Sequence, residues 1–365
     1  MQRPPLLLVF AQSGRFIAES ATRAGYPVRV ADCFADSDML AAVDESVKLP
    51  PFSRLDETAL LQALVSLSHG DPCLLLCGTG IERYYPILAR LPPHIKVVGN
   101  NLQTLATLRH PMRFFSLLKA LAIPHPATSF SNPPQTIALR KALHAAGGSA
   151  ISSDCTALRK GEFYQQFIDG TACSVCFIAD GKQFHILGWN RQINQPDSFR
   201  LEQIWQRHEP PHKHTQQLAP ILDRLVKATA LKGMNSLDYI IDETGQIFVL
   251  EVNPRISASA ELLTTADWFQ WHLDVCQGKP LPQSIDLPSG QSNRLLSYFY
   301  AQSPCHVVEV PQWPSHCHDR PIAGSFIPQG DPVCTFILAA DSEQACLQQR
   351  QACQQQVLKN CLAPA

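Results

Sequence analysis

The sequence predicts an α/β protein built in several parts, and three observations predict it. The first hundred residues alternate apolar strand signals with amphipathic helical ones, the order of a parallel sheet. Later strand signals come in pairs joined by turn residues, the order of antiparallel hairpins. A chain of 365 residues is also too long for a single ordinary core.

Taken in order, PLLLVF is a strand and GRFIAESATRAGY an amphipathic helix with a glycine near its end. VRVADCF is a second strand, which carries the acid Asp32. A third unit runs from the helix DETALLQALVSLSHG through the strand CLLLC to GTGIERYYPILARL, and KVVGN closes the domain. The stretch after the first strand is AQSGRF, not GxGxxG, so a dinucleotide site is not expected there. RFFSLLKALAI is a helix ended by PHPATS. TIALRKALHAAGGSAI is a strand leading into a small-residue loop, and EFYQQFIDG is a strand and turn. TACSVCFIADGKQFHILGW reads as two strands joined at Asp180-Gly181. After the helix LAPILDRLVKATALKG comes a second hairpin, SLDYIIDETGQIFVLEVNP, turned near Thr244-Gly245. LLSYFYA, HVVEV and VCTFILAA are further strands, and a Gln-rich helix runs from about Ser342 to Leu362.

Lys plus Arg number 30 and Asp plus Glu 31, so there is no electrostatic footprint for nucleic acid and no polybasic membrane patch. No apolar run reaches the roughly 18 residues of a membrane span. The N-terminal apolar run is too brief for a signal peptide and lacks a cleavage site, so a soluble cytoplasmic enzyme is expected. Thirteen cysteines are scattered through apolar runs, which favours structural free thiols. Cys173 and Cys176 have CxxC spacing but would face opposite sides of a strand, and His316-Cys317-His318 could tempt a metal reading.

The second hairpin carries the chemistry. Glu251 and Asn253 lie on one face of a strand, about 7 Å apart. A two-residue turn near residue 244 would bring Asp238 close to Glu251. Two carboxylates and an amide oxygen form a hard ligand set suited to Mg²⁺ or Mn²⁺, and Arg255 just beyond can brace a phosphate or a carboxylate. A strand end with surface charges is the plain alternative.

These residues resemble the ATP-grasp superfamily, whose signature is an acid on one strand and E-x-N-x-R on the next: here Asp238 and Glu251-Val252-Asn253-Pro254-Arg255. Lys141 with GGSAI is similar to the family's phosphate loop, QQFIDG to its adenine hinge, and RFFSLLKALAIPHPAT to the helix and joint that open the fold. More narrowly, SGRFIAESATRAGYPVRVADCFADSDM, CGTGIE, VVGN and DRPIAGSFIPQGDPVCT resemble a biotin-carboxylase-like ATP-grasp subfamily of the tetrahydromethanopterin-linked one-carbon pathway of methylotrophs.

The resemblance implies an ATP-grasp fold with a Rossmann-like N-terminal domain (1–105), a small lobe (106–168), a large lobe with the metal site (169–285) and a C-terminal extension (286–365) packed beside them. It implies that Lys141 meets the α- and β-phosphates and that Gly147 and Gly148 let the loop backbone approach phosphate. The backbone of Gln165, Gln166 and Phe167 would read adenine, and Asp169 would hold ribose. Asp238, Glu251 and Asn253 would hold Mg²⁺, and Arg255 would stabilise an acyl phosphate. Lys141 adjoins Arg140, so either could be a surface cation; Asp169-Gly170 could be only a turn; His144 reads as solvated filler; Gln192 could face substrate. Where the family usually has a lysine before the joint, this chain has RHPMR, so Arg109 or Arg113 must substitute or the contact is lost. The implied activity is an Mg-ATP-dependent, ADP-forming carboxylate–amine ligase acting on small molecules in biosynthesis of a one-carbon carrier cofactor of the methanopterin or methylofuran type. The alternatives are a bicarbonate-activating enzyme and a nucleotide-binding scaffold without turnover. The N-terminal unit could support a homodimer.

Overall fold

The computed structural model describes residues 4–143, 148, 151–153, 157–207, 212–265, 267–285 and 293–365. The N-terminal domain is a parallel sheet of β1 (Leu6–Phe10), β2 (Val28–Asp32), β3 (Glu45–Lys48), β4 (Cys73–Cys77) and β5 (Ile95–Val98), in the order β3-β2-β1-β4-β5. Helices α1 (Arg15–Arg23), α2 (Ser37–Ala42), α3 (Glu57–Ser68) and α4 (Ile81–Tyr84) connect it. Leu7 to Phe10 are all fully buried, as a parallel strand covered on both faces requires. Asp32, at the end of β2, accepts the Gly14 N–H at 3.1 Å and the Ala35 N–H at 3.0 Å. The acid that would hold a ribose in a dinucleotide site is thus spent on two backbone loops. β3 and α2 were not expected from the sequence.

Helices α5 (Leu102–Arg109) and α6 (Pro111–Ala120), broken at Pro111, lead to a small antiparallel sheet. Its strands are β6 (Thr128–Ser129), β7 (Ala138–Ala142), β8 (Ile151–Ser152) and β9 (Glu162–Gln166), ordered β6-β9-β7-β8. The large lobe holds β10 (Thr171–Asp180), β11 (Phe184–Asn194), β12 (Leu201–Arg207), α7 (His212–Thr229), β13 (Lys232–Ile241), β14 (Ile247–Asn253) and α8 (Trp268–Cys276). The C-terminal extension adds β15 (Asn293–Tyr300), β16 (Cys305–Val307), β17 (Cys317–His318), β18 (Phe326–Ile327), β19 (Pro332–Ala340), α9 (Glu343–Asn360) and β20 (Leu362–Pro364).

This extension does more than pack beside the large lobe. β15 pairs with β12, so β15, β19 and β17 continue one eight-stranded sheet, β14-β13-β10-β11-β12-β15-β19-β17. Cys173 and Cys176 fall into different hydrophobic clusters on the two faces of β10, and the described cysteines are free thiols.

A buried polar seam fixes the N-terminal domain on the large lobe. Asn100 donates to Asn235 Oδ1 at 2.8 Å and to the Pro254 carbonyl at 3.0 Å, and accepts the Lys232 N–H at 2.8 Å. His272 accepts the Met234 N–H at 2.9 Å and reaches the Val98 carbonyl at 3.3 Å. Gly233, at φ +65°, is required here, because a Cβ would lie 2.5 Å from the His272 ring.

Candidate active site

The hairpin β13–β14 creates the site by two irregularities. Its turn spans three residues rather than the expected two: Asp242 and Gln246 close it, and Gly245 takes φ +81°. That turn alone would pair Asp238 with Leu250. A bulge between Asp238 and Tyr239 makes Leu250 the extra residue and sets Asp238 opposite Glu251, with Ser236 opposite Asn253. Without the bulge, Glu251 would face the other side of the sheet.

Burial and the neighbouring Glu251 push the Asp238 carboxyl well above the usual range. A carboxyl so raised, beside the exposed Glu251, fits a hard divalent cation, which would favour its charged form. Asn253 differs from its expected role. Its amide nitrogen donates to Asp238 Oδ2 at 3.1 Å, while its oxygen accepts from Arg255 Nη2 at 3.1 Å. As a metal ligand it would have to turn its amide over.

Lys141 projects from β7 toward this pair. Its ammonium donates to Gln165 Oε1 at 2.9 Å. Burial pulls its pKa down, and the charges of Glu251 and Asp238 oppose that shift. Arg140 points the other way and pairs with Glu162 at 3.6 Å, as alternation along a strand demands. Gln165 is 2 % exposed, with Nε2 lacking a hydrogen-bond partner among the described residues.

The hinge differs from expectation in its donors. The N–H groups of Gln166 and Phe167 donate to the Ala127 and Ile137 carbonyls, at 2.7 and 2.8 Å. They are therefore committed to the protein and not free to read an adenine edge. Asp169 is exposed, five residues before Ser174, the β10 partner of Asp238, and so about 16 Å along the strand. Gly170 is needed because a Cβ would lie 2.3 Å from the Ile241 carbonyl oxygen. Gly148, at φ +75°, lies so close to the Phe199 carbonyl that a Cβ would overlap it. Gly147 and His144 lie outside the described residues.

Arg255 reaches into the N-terminal domain, where Nε meets Glu82 Oε1 at 2.5 Å. Glu82 also accepts the Gly80 N–H at 3.0 Å. Burial alone would raise the Glu82 pKa, but Arg255 and Arg109 hold it below the usual carboxylate value. Of the two arginines in RHPMR, Arg109 thus lies within range of Glu82, whereas Arg113 is exposed.

From the acid pair a polar line crosses the sheet in register: Glu251, Asp238, Ser174, Asn190, Gln206, Arg294. In-register partners share a face, so at about 4.8 Å per strand the line runs roughly 24 Å. Asn190 donates to Ser174 at 3.2 Å, and Gln192 donates to Asp238 at 3.4 Å. Asn190 Oδ1 and Arg294 Nε are buried without a hydrogen-bond partner among the described residues. Burial lowers the Arg294 pKa, and no carboxylate among the described residues offsets it. Ser174, Asn190, Gln206 and Arg294 were not singled out from the sequence, where their only signal is a polar residue in an apolar strand.

Residues 112–259 match the model of a family described as the ATP-grasp domain. The chain is 22% identical over 250 residues to the carbamoyl phosphate synthase large chain of Thermoanaerobacter pseudethanolicus, covering 60% of this chain and 22% of that one. It thus spans about a fifth of the length of such curated relatives. Its fold resembles that of L-amino acid ligase from Bacillus licheniformis, with a TM-score of 0.70 at 16% identity over 98% of both chains. It also resembles the biotin carboxylase domain of 2-oxoglutarate carboxylase from Hydrogenobacter thermophilus, solved with MgADP and bicarbonate. There the TM-score is 0.76 at 12% identity, over 100% of this chain and 91% of that one. The chain thus has an ATP-grasp fold, and residues 112–259 within it match an ATP-grasp domain.

Proposed function

We propose that the chain is an Mg-ATP-dependent, ADP-forming carboxylate–amine ligase. The observation that carries this reading is the approach of Lys141, on the small lobe, to the Asp238–Glu251 pair on the large lobe. A cation facing two acids across a cleft suits a ligand that brings both phosphate and a divalent metal. The similarity to an amino acid ligase over nearly the whole chain supports the amide-forming version.

In this reading Asp238 and Glu251 hold Mg²⁺, with Asn253 joining once its amide has turned. The ion supplies charge neutralisation across the β- and γ-phosphates when bound. The Lys141 ammonium, held by Gln165, offsets phosphate charge from the opposite wall. A substrate carboxylate attacks the γ-phosphorus and ADP leaves, giving an acyl phosphate. An amine then attacks the acyl carbon, loses a proton and expels phosphate. Arg255 braces the phosphoryl oxygens and the oxyanion of the second step, and Glu82 orients its guanidinium. Arg294, a cation on the same sheet face without a carboxylate partner among the described residues, suits an anionic substrate group. Asp169 would bind ribose; the adenine edge would meet hinge groups other than the two committed N–H donors. The finer reading, amide formation in a one-carbon carrier cofactor, rests on the sequence resemblance alone.

A second reading, activation of bicarbonate, is favoured by the fold similarity to a biotin carboxylase domain. Phosphate release measured with Mg-ATP and pools of amino acids or cofactor precursors separates the two. Release that needs both a carboxylate and an amine, and that falls about 10³-fold in Glu251→Gln, supports the ligase. Release with bicarbonate and no amine overturns it, and nucleotide binding without any release favours a scaffold.

A further inference from the structure

A second cluster of ionisable groups lies where α1, α2 and β17 meet, and the reaction above does not use it. We propose that Glu19, Asp38 and His318 form a second metal site, for a borderline divalent cation of the Mn²⁺ to Zn²⁺ kind, joining the N-terminal domain to the C-terminal extension.

One carboxylate oxygen from each acid and one ring nitrogen of His318 lie within 4.8 Å of one another. They come from three separate segments: Glu19 from α1, Asp38 from α2 and His318 from β17. Two carboxylate oxygens and an imidazole nitrogen form a mixed set that suits Mn²⁺ or Zn²⁺ better than the all-oxygen set around Asp238 does. Of the motif His316-Cys317-His318, only the last residue takes part. Cys317 is buried in the core beneath α9, and His316 is exposed.

The neighbouring arginines serve Glu19 but leave one oxygen of Asp38 without a hydrogen bond. Arg15 donates to Glu261 through both terminal nitrogens, to Asp319 at 3.0 and 3.3 Å, and to Glu19 Oε2 at 3.3 Å. Glu19 receives a 3.3 Å contact from Arg15 and one of 3.6 Å from Arg23. Asp38 Oδ1 accepts the Arg320 N–H at 3.0 Å. Its Oδ2 has guanidinium nitrogens only at 3.6 and 3.9 Å, beyond hydrogen-bonding range. Asp38 is 6% exposed, and its Oδ2 is buried without a hydrogen-bond partner among the described residues. A buried carboxylate oxygen is ordinarily paired or bound to metal. An ion here would tie two N-terminal helices to the strand β17.

The test uses the full chain carrying Glu251→Gln, which removes the hairpin site, after treatment with chelator and without nucleotide. Calorimetric titration with Mn²⁺ or Zn²⁺ alone should show a single ion bound per chain and a raised melting temperature. Adding His318→Ala should weaken binding by about 100-fold or more. Because that variant could also misfold, spin-echo spectra of Mn²⁺ bound to the Glu251→Gln chain supply a second readout and should show a directly bound imidazole nitrogen. No binding to the Glu251→Gln chain, binding unaltered by His318→Ala, or spectra without nitrogen coupling would each overturn the proposal. The Glu251→Gln background also keeps this result separate from the ligase reading.

Discussion

Arg15 and Arg255 both carry a guanidinium across the border of the N-terminal domain, and they are used in different ways. Arg15 is 1% exposed and hydrogen-bonded by Glu261 and Asp319, acids from the large lobe and the C-terminal extension. Arg255 is less buried, and its partner Asn253 also donates to Asp238, whose carboxyl is pushed well above the usual range by burial and Glu251. The first guanidinium is saturated by acids and holds domains together. The second is open and asks for a ligand. What distinguishes the two is the number of acids that hold each guanidinium, three hydrogen-bonded to Arg15 and one to Arg255, not burial alone.

Breaking the staple should have the largest effect on stability. Arg15→Ala leaves the half-buried Glu261 and Asp319 without their shared cation, at an expected cost of about 3 kcal/mol in urea unfolding. A loss under about 1 kcal/mol would show that Arg15 is no staple.

His272 tests the same seam by pH. Burial pulls its pKa down to about 4, so it is neutral in the fold. Unfolded, it titrates near about 6.5, so the unfolded chain binds the extra proton between these values. Its contribution is complete above about pH 6.5 and falls as pH drops toward 4, by up to about 3 kcal/mol. Urea unfolding from neutral to acid pH should follow that curve, and His272→Asn should flatten it.

On the open side, Glu82→Gln should lower kcat about 10-fold or more, with little change in the KM for ATP, because it loosens the orientation of Arg255. An equal change in both would make Glu82 part of nucleotide binding instead. The smallest effect separates site from staple by sign. The Asp238 carboxyl titrates above its unfolded value, so the metal-free protein loses stability as pH rises through that range. Asp238→Asn removes the repulsion and should stabilise the metal-free chain by about 1 kcal/mol at neutral pH.

The sequence carried the hairpin site because its residues are local: an acid on one strand and E-x-N-x-R on the next follow from alternation and a turn. The Asp238–Glu251 pairing was legible, although a three-residue turn and a bulge at Leu250 produce it together, not the two-residue turn that spacing suggested. Most strands and the tail helix were also legible from periodicity. β12 was missed because LEQIWQR mixes polar and apolar residues without a turn signal at its start. The Arg15–Asp319 contact joins residues 304 apart, and no spacing in a single sequence reports such a pair. The polar line to Arg294 was hidden for the same reason, since it exists only once five strand registers are set.

The most direct test of the central claim is calorimetric binding of ADP with and without Mg²⁺, in the wild-type chain and in Asp238→Asn. If the Asp238–Glu251 pair holds the metal, wild-type binding should tighten with Mg²⁺, and the variant should lose most of that gain, about 10-fold or more in affinity. Equal affinity and equal Mg²⁺ dependence in both proteins would contradict the account.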